Sequence, residues 1–299
     1  MSIINNAGSG SQIRILCLID RVLNRRKKLT PILCQELIET CRPDNLPKTD
    51  GAAKRFKENL DFWLEEGLWR EDEIGITVQD PESSERNLSQ RILSLCIRNH
   101  AEKNILQGNR IEPFLRTITT LLCQDQLSFH GQQRGGPSLT TQADIAETIN
   151  SRLPSDLSIN ASNDANTLKD WGVFLGFLEP FDKGVITDPT RAIAPILPEL
   201  FVENDTLSLR DFMTALAERL PMLDGGKYRQ VIEPILEEKG WQPPLDNRVS
   251  ASLSHALLRL ETGFQLILDQ PSDDSKSMVL ISTDGKKRSV GTVRYRGKK

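Results

Sequence analysis

Eleven basic side chains in three groups could do chemistry in this sequence, and that chemistry is contact with phosphate. Lys48, Lys54, Arg55 and Lys57 form the first group. Arg248 and Arg259 form the second, and Lys286, Lys287, Arg288, Arg294 and Arg296 the third. Lysine and arginine neutralise phosphates and release condensed counterions, so clusters of them are the usual mark of a nucleic-acid surface.

The residues for covalent or metal chemistry are not arranged for it. There is no G-x-x-x-x-G-K-[ST] run, and Gly8-Ser9-Gly10 lies too near the start to follow a strand. The three histidines, His100, His130 and His255, are scattered, with none four residues from another. The nearest approach to an acid pair with a lysine is Asp44 together with Glu237-Glu238-Lys239, which lie in different parts of the chain. Five cysteines (Cys17, Cys34, Cys41, Cys96 and Cys123) include no C-x-x-C pair, which favours buried free thiols in a reducing cytoplasm. The expectation is a protein without catalytic residues, cofactor or metal.

Charge is sorted along the chain. The net charge is −3, but eight of the 38 bases and one of the 41 acids lie between 276 and 299. That end carries +7 and the rest −10. No stretch approaches the ~20 apolar residues of a membrane span. The first ten residues lack the basic start and apolar run of a secretory signal. A cytoplasmic protein with no membrane contact is expected.

Hydrophobic periodicity places these bases on elements. An amphipathic helix that ends at glycine and runs at once into a strand-like segment occurs three times, at Gly67-Leu68, Gly176-Phe177 and Gly263-Phe264. In the first copy, helices carry Ile13, Leu16 and Leu23, then Leu33 and Leu37 after a Thr30-Pro31 start, then Phe56, Leu60 and Trp63. Arg70–Glu73 reads as the turn before Ile74–Val78. In the second copy, Thr140-Thr141 precedes a helix. Asn160–Asp164 is a polar link to the helix of Leu168 and Trp171, and Asp182-Lys183-Gly184 is a turn. In the third copy, Phe264–Leu268 pairs back with Met278–Ile281 across Pro271–Ser275.

This pattern predicts a mostly α chain with small β-hairpins, built of tandem winged helix-turn-helix modules joined by a helical linker. The expected division is 1–80, an N-terminal winged-helix domain; 81–137, a helical linker with a flexible joint at His130–Pro137; 138–200 and 201–284, the second and third winged-helix domains; and 285–299, a basic tail. In such modules the third helix enters the major groove and the wing touches backbone. Lys54, Arg55 and Lys57 fall on the first turns of that helix in the first module, with Lys48 just ahead. The equivalent helix of the second module has Asp164, Lys169 and Asp170 and no basic cluster. Arg248 and Arg259 flank and enter the last helix. The end of the chain alternates like a strand with a basic face, and Tyr295 between Arg294 and Arg296 could stack on a base.

The opening helix Ile13–Leu18, the Trp63-Leu64-x-x-Gly67-Leu68 closure and the overall length resemble the DpdG-type proteins of bacterial clusters for 7-deazaguanine DNA modification and phage restriction. The resemblance implies a defence-associated, non-catalytic, DNA-linked role and supplies no catalytic residues. The architecture is also similar to the tandem winged-helix partners of chromosome-organising ATPase complexes, where such modules grip protein. The expected partner is double-stranded DNA, in a protein that recruits a modification or restriction machine or represses its genes. The alternative is a scaffold subunit that binds protein partners of a DNA-acting ATPase complex.

Overall fold

The apolar stripe Leu16, Ile19 and Leu23 draws α1 (Ile13–Arg25) onto α2 (Cys34–Cys41) and α3 (Asp50–Glu65), over a core that includes Leu37, Phe56, Leu60 and Trp63. These and the following details come from a computed structural model, which describes residues 2–26, 30–42, 50–80, 82–99, 104–108, 110–123, 139–245, 247–270 and 277–297. Helix α3 ends in a Schellman motif: Leu68 N–H donates to Trp63 O at 2.9 Å, Gly67 N–H to Leu64 O at 3.0 Å, and Gly67 takes φ +85°. Strands β1 (Trp69–Asp72) and β2 (Gly75–Val78) follow as an antiparallel pair, with Trp69 opposite Val78 and Asp72 opposite Gly75. Arg70, Glu71 and Asp72 are therefore strand residues, not the expected turn. The Asp72 carboxylate accepts the Ile74 N–H at 2.9 Å and holds a tighter turn at Glu73-Ile74.

The second helix begins later than Thr30-Pro31 suggests. Ile32 exchanges two backbone hydrogen bonds with Ile76, at 3.1 and 2.9 Å, and both side chains are fully buried. Pairing with the hairpin satisfies the Ile32 backbone, so helical structure waits until Cys34.

Helices α4 (Leu88–Asn99) and α5 (Glu112–Leu122) lie within the span expected to be a linker. All eleven residues of α5 are buried, which makes it a core helix. Its threonines are tolerated there because their hydroxyls donate to carbonyls four residues back, Thr117 to Pro113 and Thr119 to Leu115 at 2.6 Å and Thr120 to Arg116 at 2.9 Å. Its C-terminal carbonyls, which lack helical partners, are met from far along the chain. Ser252 Oγ donates to Leu122 O at 2.9 Å and Trp241 Nε1 to Cys123 O at 2.7 Å.

The second unit repeats the first closely. Thr141 caps α6 (Gln142–Asn150) in a reciprocal box with Asp144, with bonds of 3.1 and 2.8 Å. Asn160–Asp164 is a helical start, not a link. Asn160 Oδ1 accepts the Ser162 and Asn163 N–H groups at 2.9 and 3.0 Å, and a wide turn, Ala161–Ala165, runs into α7 (Asn166–Leu175). The α7 closure matches that of α3. Phe177 N–H reaches Gly172 O at 2.9 Å, Gly176 N–H reaches Val173 O at 3.2 Å, and Gly176 has φ +87°. Strands β3 (Leu178–Phe181) and β4 (Gly184–Thr187) share the register of β1 and β2. Val185 N–H donates to Leu139 O at 3.1 Å, as Ile76 does to Ile32. The two units meet at Trp63 and Trp171, whose rings are 5.7 Å apart.

Two one-turn helices, α8 (Thr190–Ile193) and α9 (Leu197–Leu200), lead to β5 (Thr206–Ser208) and to α10 (Leu209–Arg219), capped by Ser208. Helix α11 (Lys227–Glu238) continues through Pro234, and α12 (Ala251–Thr262) starts at the Ser250 cap. Four strands follow: β6 (Leu266–Asp269), β7 (Met278–Ile281), β8 (Lys287–Val290) and β9 (Thr292–Tyr295). The expected pairing of β6 with β7 does not occur. β6 pairs with β9, which lies between it and β5, and β7 pairs with β8. Within 285–297, Val290 and Val293 are both fully buried and pull β8 and β9 onto the core. The result is a mostly helical protein with small antiparallel strand pairs. Among the described residues no helix is long and apolar enough to cross a membrane.

Candidate nucleic-acid interface

On α3, Phe56 and Leu60 face the core while Lys54, Arg55 and Lys57 project outward and are exposed. Two of the three have acidic neighbours one turn on. Lys54 Nζ is 3.9 Å from Glu58, and Lys57 Nζ is 2.7 and 2.9 Å from the two Asp61 oxygens. The hydrogen bond to Asp61 raises the Lys57 ammonium above its ordinary pKa. Arg55 has no ion-pair or hydrogen-bond partner among the described residues. Lys48 lies outside the described residues. The adjoining hairpin carries Glu71, Asp72 and Glu73 beside an exposed Ile74, a surface that repels phosphate.

Arg248 is half-buried, and its backbone bridges to Val279. Arg259 projects from α12 onto Asp188, the fully buried residue that follows β4. Asp188 also faces His255 Nε2 at 3.4 Å and accepts the Thr190 N–H at 2.9 Å. Burial pushes the Asp188 carboxyl up, but hydrogen bonds from His255 and Thr190 outweigh it and hold the group below the usual carboxylate range. Arg259 thus ties the third unit to the hairpin of the second.

The remaining bases sit on the C-terminal strands. Lys286 Nζ is 2.7 Å from Asp284, and Arg294 is 3.8 Å from Asp269. Arg288 makes a two-pronged pair with Glu261, one bond at 2.9 Å. Lys287 is exposed. Arg296 places its guanidinium 5.7 Å from the centre of the Phe264 ring. Lys286, Lys287 and Arg288 share one hairpin end, and Arg294 and Arg296 lie on or next to β9. The α3 bases belong to the first unit.

Tyr295 is not the open aromatic expected. It is half-buried and stacks on Phe201, at 5.5 Å and 17°, which stacks in turn on Phe212. A more open aromatic is Phe264, 72% exposed and at φ +57°. Its sequence signal was the Gly263-Phe264 pair, whose register is shifted by one from the other two. Here the closure bonds are Gln265 N–H to Leu260 O and Phe264 N–H to Glu261 O, both 2.9 Å, so Phe264, not Gly263, occupies the left-handed position.

The thiols differ in burial. Cys41, Cys96 and Cys123 are buried, whereas Cys17 and Cys34 are only half-buried, short of the full burial expected of all five. Burial raises every one of them, Cys41 to about 11 and Cys123 to about 12. Among the described residues no cluster of three His, Cys, Asp or Glu side chains could hold a metal ion.

A family model described as DpdG-like matches residues 1–274, and the chain belongs to this family. The family associates the chain with a DNA modification system. Neither the curated proteins nor the solved structures gave a match.

Proposed function

We propose that this member of the DpdG-like family is a non-enzymatic, double-stranded DNA-binding component of a bacterial modification and restriction system for defence against phage, acting in the cytoplasm as an accessory or regulator. Its helix–hairpin units are winged-helix modules in this reading. The observation that carries it is the sorting of charge. Five bases of the +7 end, Lys286, Lys287, Arg288, Arg294 and Arg296, lie on or beside β8 and β9, and Lys54 and Arg55 stand exposed on the first turns of α3. Phosphate contact by these groups makes binding strongly salt-dependent. The test is duplex affinity measured against salt for wild type, Lys54→Glu with Arg55→Glu, and Lys286→Glu with Lys287→Glu. Each double change is expected to flatten the salt slope by about two units. An unchanged affinity and slope removes that group from the interface.

One observation favours a second reading. The acidic strand end Glu71–Glu73 with exposed Ile74 suits a protein surface, as does the −10 balance of the rest of the chain. In that reading the protein is a scaffold for partners of a DNA-acting ATPase complex. Recovery of a stoichiometric partner with no retained DNA would support it.

A further inference from the structure

We infer that Phe264 is a stacking platform for an unpaired base of bound DNA, with Arg296 beside it to meet the adjoining phosphate; this rests on the DNA-binding reading above. The inference starts from an anomaly in an otherwise repeated motif. Four helices, α3, α7, α11 and α12, close with the same pair of backbone bonds, one reaching back five residues and one reaching back three. In the first three, the left-handed position is glycine, Gly67 at φ +85°, Gly176 at φ +87° and Gly240 at φ +87°. The apolar residue that follows is buried, Leu68 at 4%, Phe177 at 0% and Trp241 at 6% exposure. In α12, a phenylalanine takes the left-handed position, which disfavours any side chain bulkier than hydrogen. A glycine stands one residue away without being used there, since Gly263 has φ −77°.

The strained conformation gains no burial, because the ring is 72% exposed. An observed outlier of this kind points to a function for the side chain. What stands beside the ring identifies the occupant. The Arg296 guanidinium lies 5.7 Å from its centre, and Arg294 is two residues back, on β9. A flat, exposed apolar face with a guanidinium beside it matches a nucleobase and its phosphate. Paired bases in a duplex hide their faces, so the occupant is a base in a gap, an overhang or a flipped-out position.

The test compares a blunt duplex with the same duplex carrying a short single-stranded gap, by fluorescence anisotropy on the full chain. Wild type is expected to prefer the gapped DNA. Phe264→Gly and Phe264→Ala should lose that preference, by roughly five- to a hundredfold in affinity, with blunt-duplex binding unchanged, and Phe264→Trp should keep it. Glycine is the residue a left-handed helix end favours, so Phe264→Gly stays folded and separates stacking from stability. Equal preference for gapped DNA in wild type and Phe264→Gly overturns the inference and leaves DNA binding standing. Failure of wild type to bind either DNA overturns the reading beneath it as well.

Discussion

The first and second helix–hairpin units are near copies in backbone, and the third departs from them at the point where its helix turns into its strand. Gly67 and Gly176 hold the same left-handed turn, β1–β2 and β3–β4 share one register, and Ile32 and Leu139 dock on the two hairpins alike. Gly75 and Gly184 open the return strands, and a Cβ on either would sit 2.7 or 2.5 Å from the carbonyl oxygen of Ile32 or Leu139. In the third unit the strand after the helix finds its partner at the end of the chain, and the glycine slips by one. Where backbone must approach backbone, the sequence keeps glycine; where an aromatic stands in its place, the site is open to solvent.

The largest effect is expected where the second unit differs from the first. β2 is followed by exposed Gln79, β4 by buried Asp188 with its bonds to Arg259 and Thr190 and with His255 beside it. Asp188→Ala removes a buried acceptor of charged hydrogen bonds and should lower stability by about 3 kcal/mol, whereas Gln79→Ala should change little. The Asp188 carboxyl is held below the ~3.9 of an unfolded aspartate. Its contribution is therefore complete above that value and lost as pH falls below it, so Asp188→Asn should flatten the acid side of the stability curve. A chemical-denaturation series against pH checks both. An Asp188→Ala midpoint equal to wild type would make the second unit no more dependent on its neighbour than the first.

The two glycine closures should also separate. A Cβ on Gly176 would lie 2.7 Å from the Ala192 backbone nitrogen, while one on Gly67 meets only a Leu95 methyl at 4.0 Å. Gly67→Ala carries the left-handed penalty alone, about 1–2 kcal/mol. Gly176→Ala adds a clash with backbone and should lower stability by about 3 kcal/mol. Equal losses in thermal unfolding would mean that α8 moves aside freely.

Local signals were legible and long-range ones were not. Helix ends at Gly67 and Gly176 follow from apolar spacing and one residue's conformational freedom, both contained in a few neighbouring positions. The Lys54–Lys57 surface was legible for the same reason, since Phe56 fixes which face is buried. The burial of α5 was hidden because its threonines look polar in sequence and satisfy their own hydroxyls in the helix. The partner of β6 is a segment more than twenty residues away, β9 (Thr-Val-Arg-Tyr), although the nearer β7 (Met-Val-Leu-Ile) is the more apolar, so local patterning points to the wrong strand. The pairing of Arg259 with Asp188 was not legible, because nothing near Arg259 in sequence shows that Asp188 lies against it.

Phe264→Gly gives the smallest expected change and the sharpest test of why the third closure differs. Replacement removes the penalty of a side chain at φ +57°, about 1–2 kcal/mol, and adds the chain entropy of glycine, roughly 0.5–1 kcal/mol. With the ring mostly in water, little packing is lost. The balance is a protein as stable as wild type or up to about 1.5 kcal/mol more so, measurable as a small rise in Tm. That sign is opposite to the one expected for Gly67→Ala and Gly176→Ala. A clear loss of stability instead would mean that the ring supports the fold through Arg296 and β9, and that the third closure differs from the other two for reasons of packing.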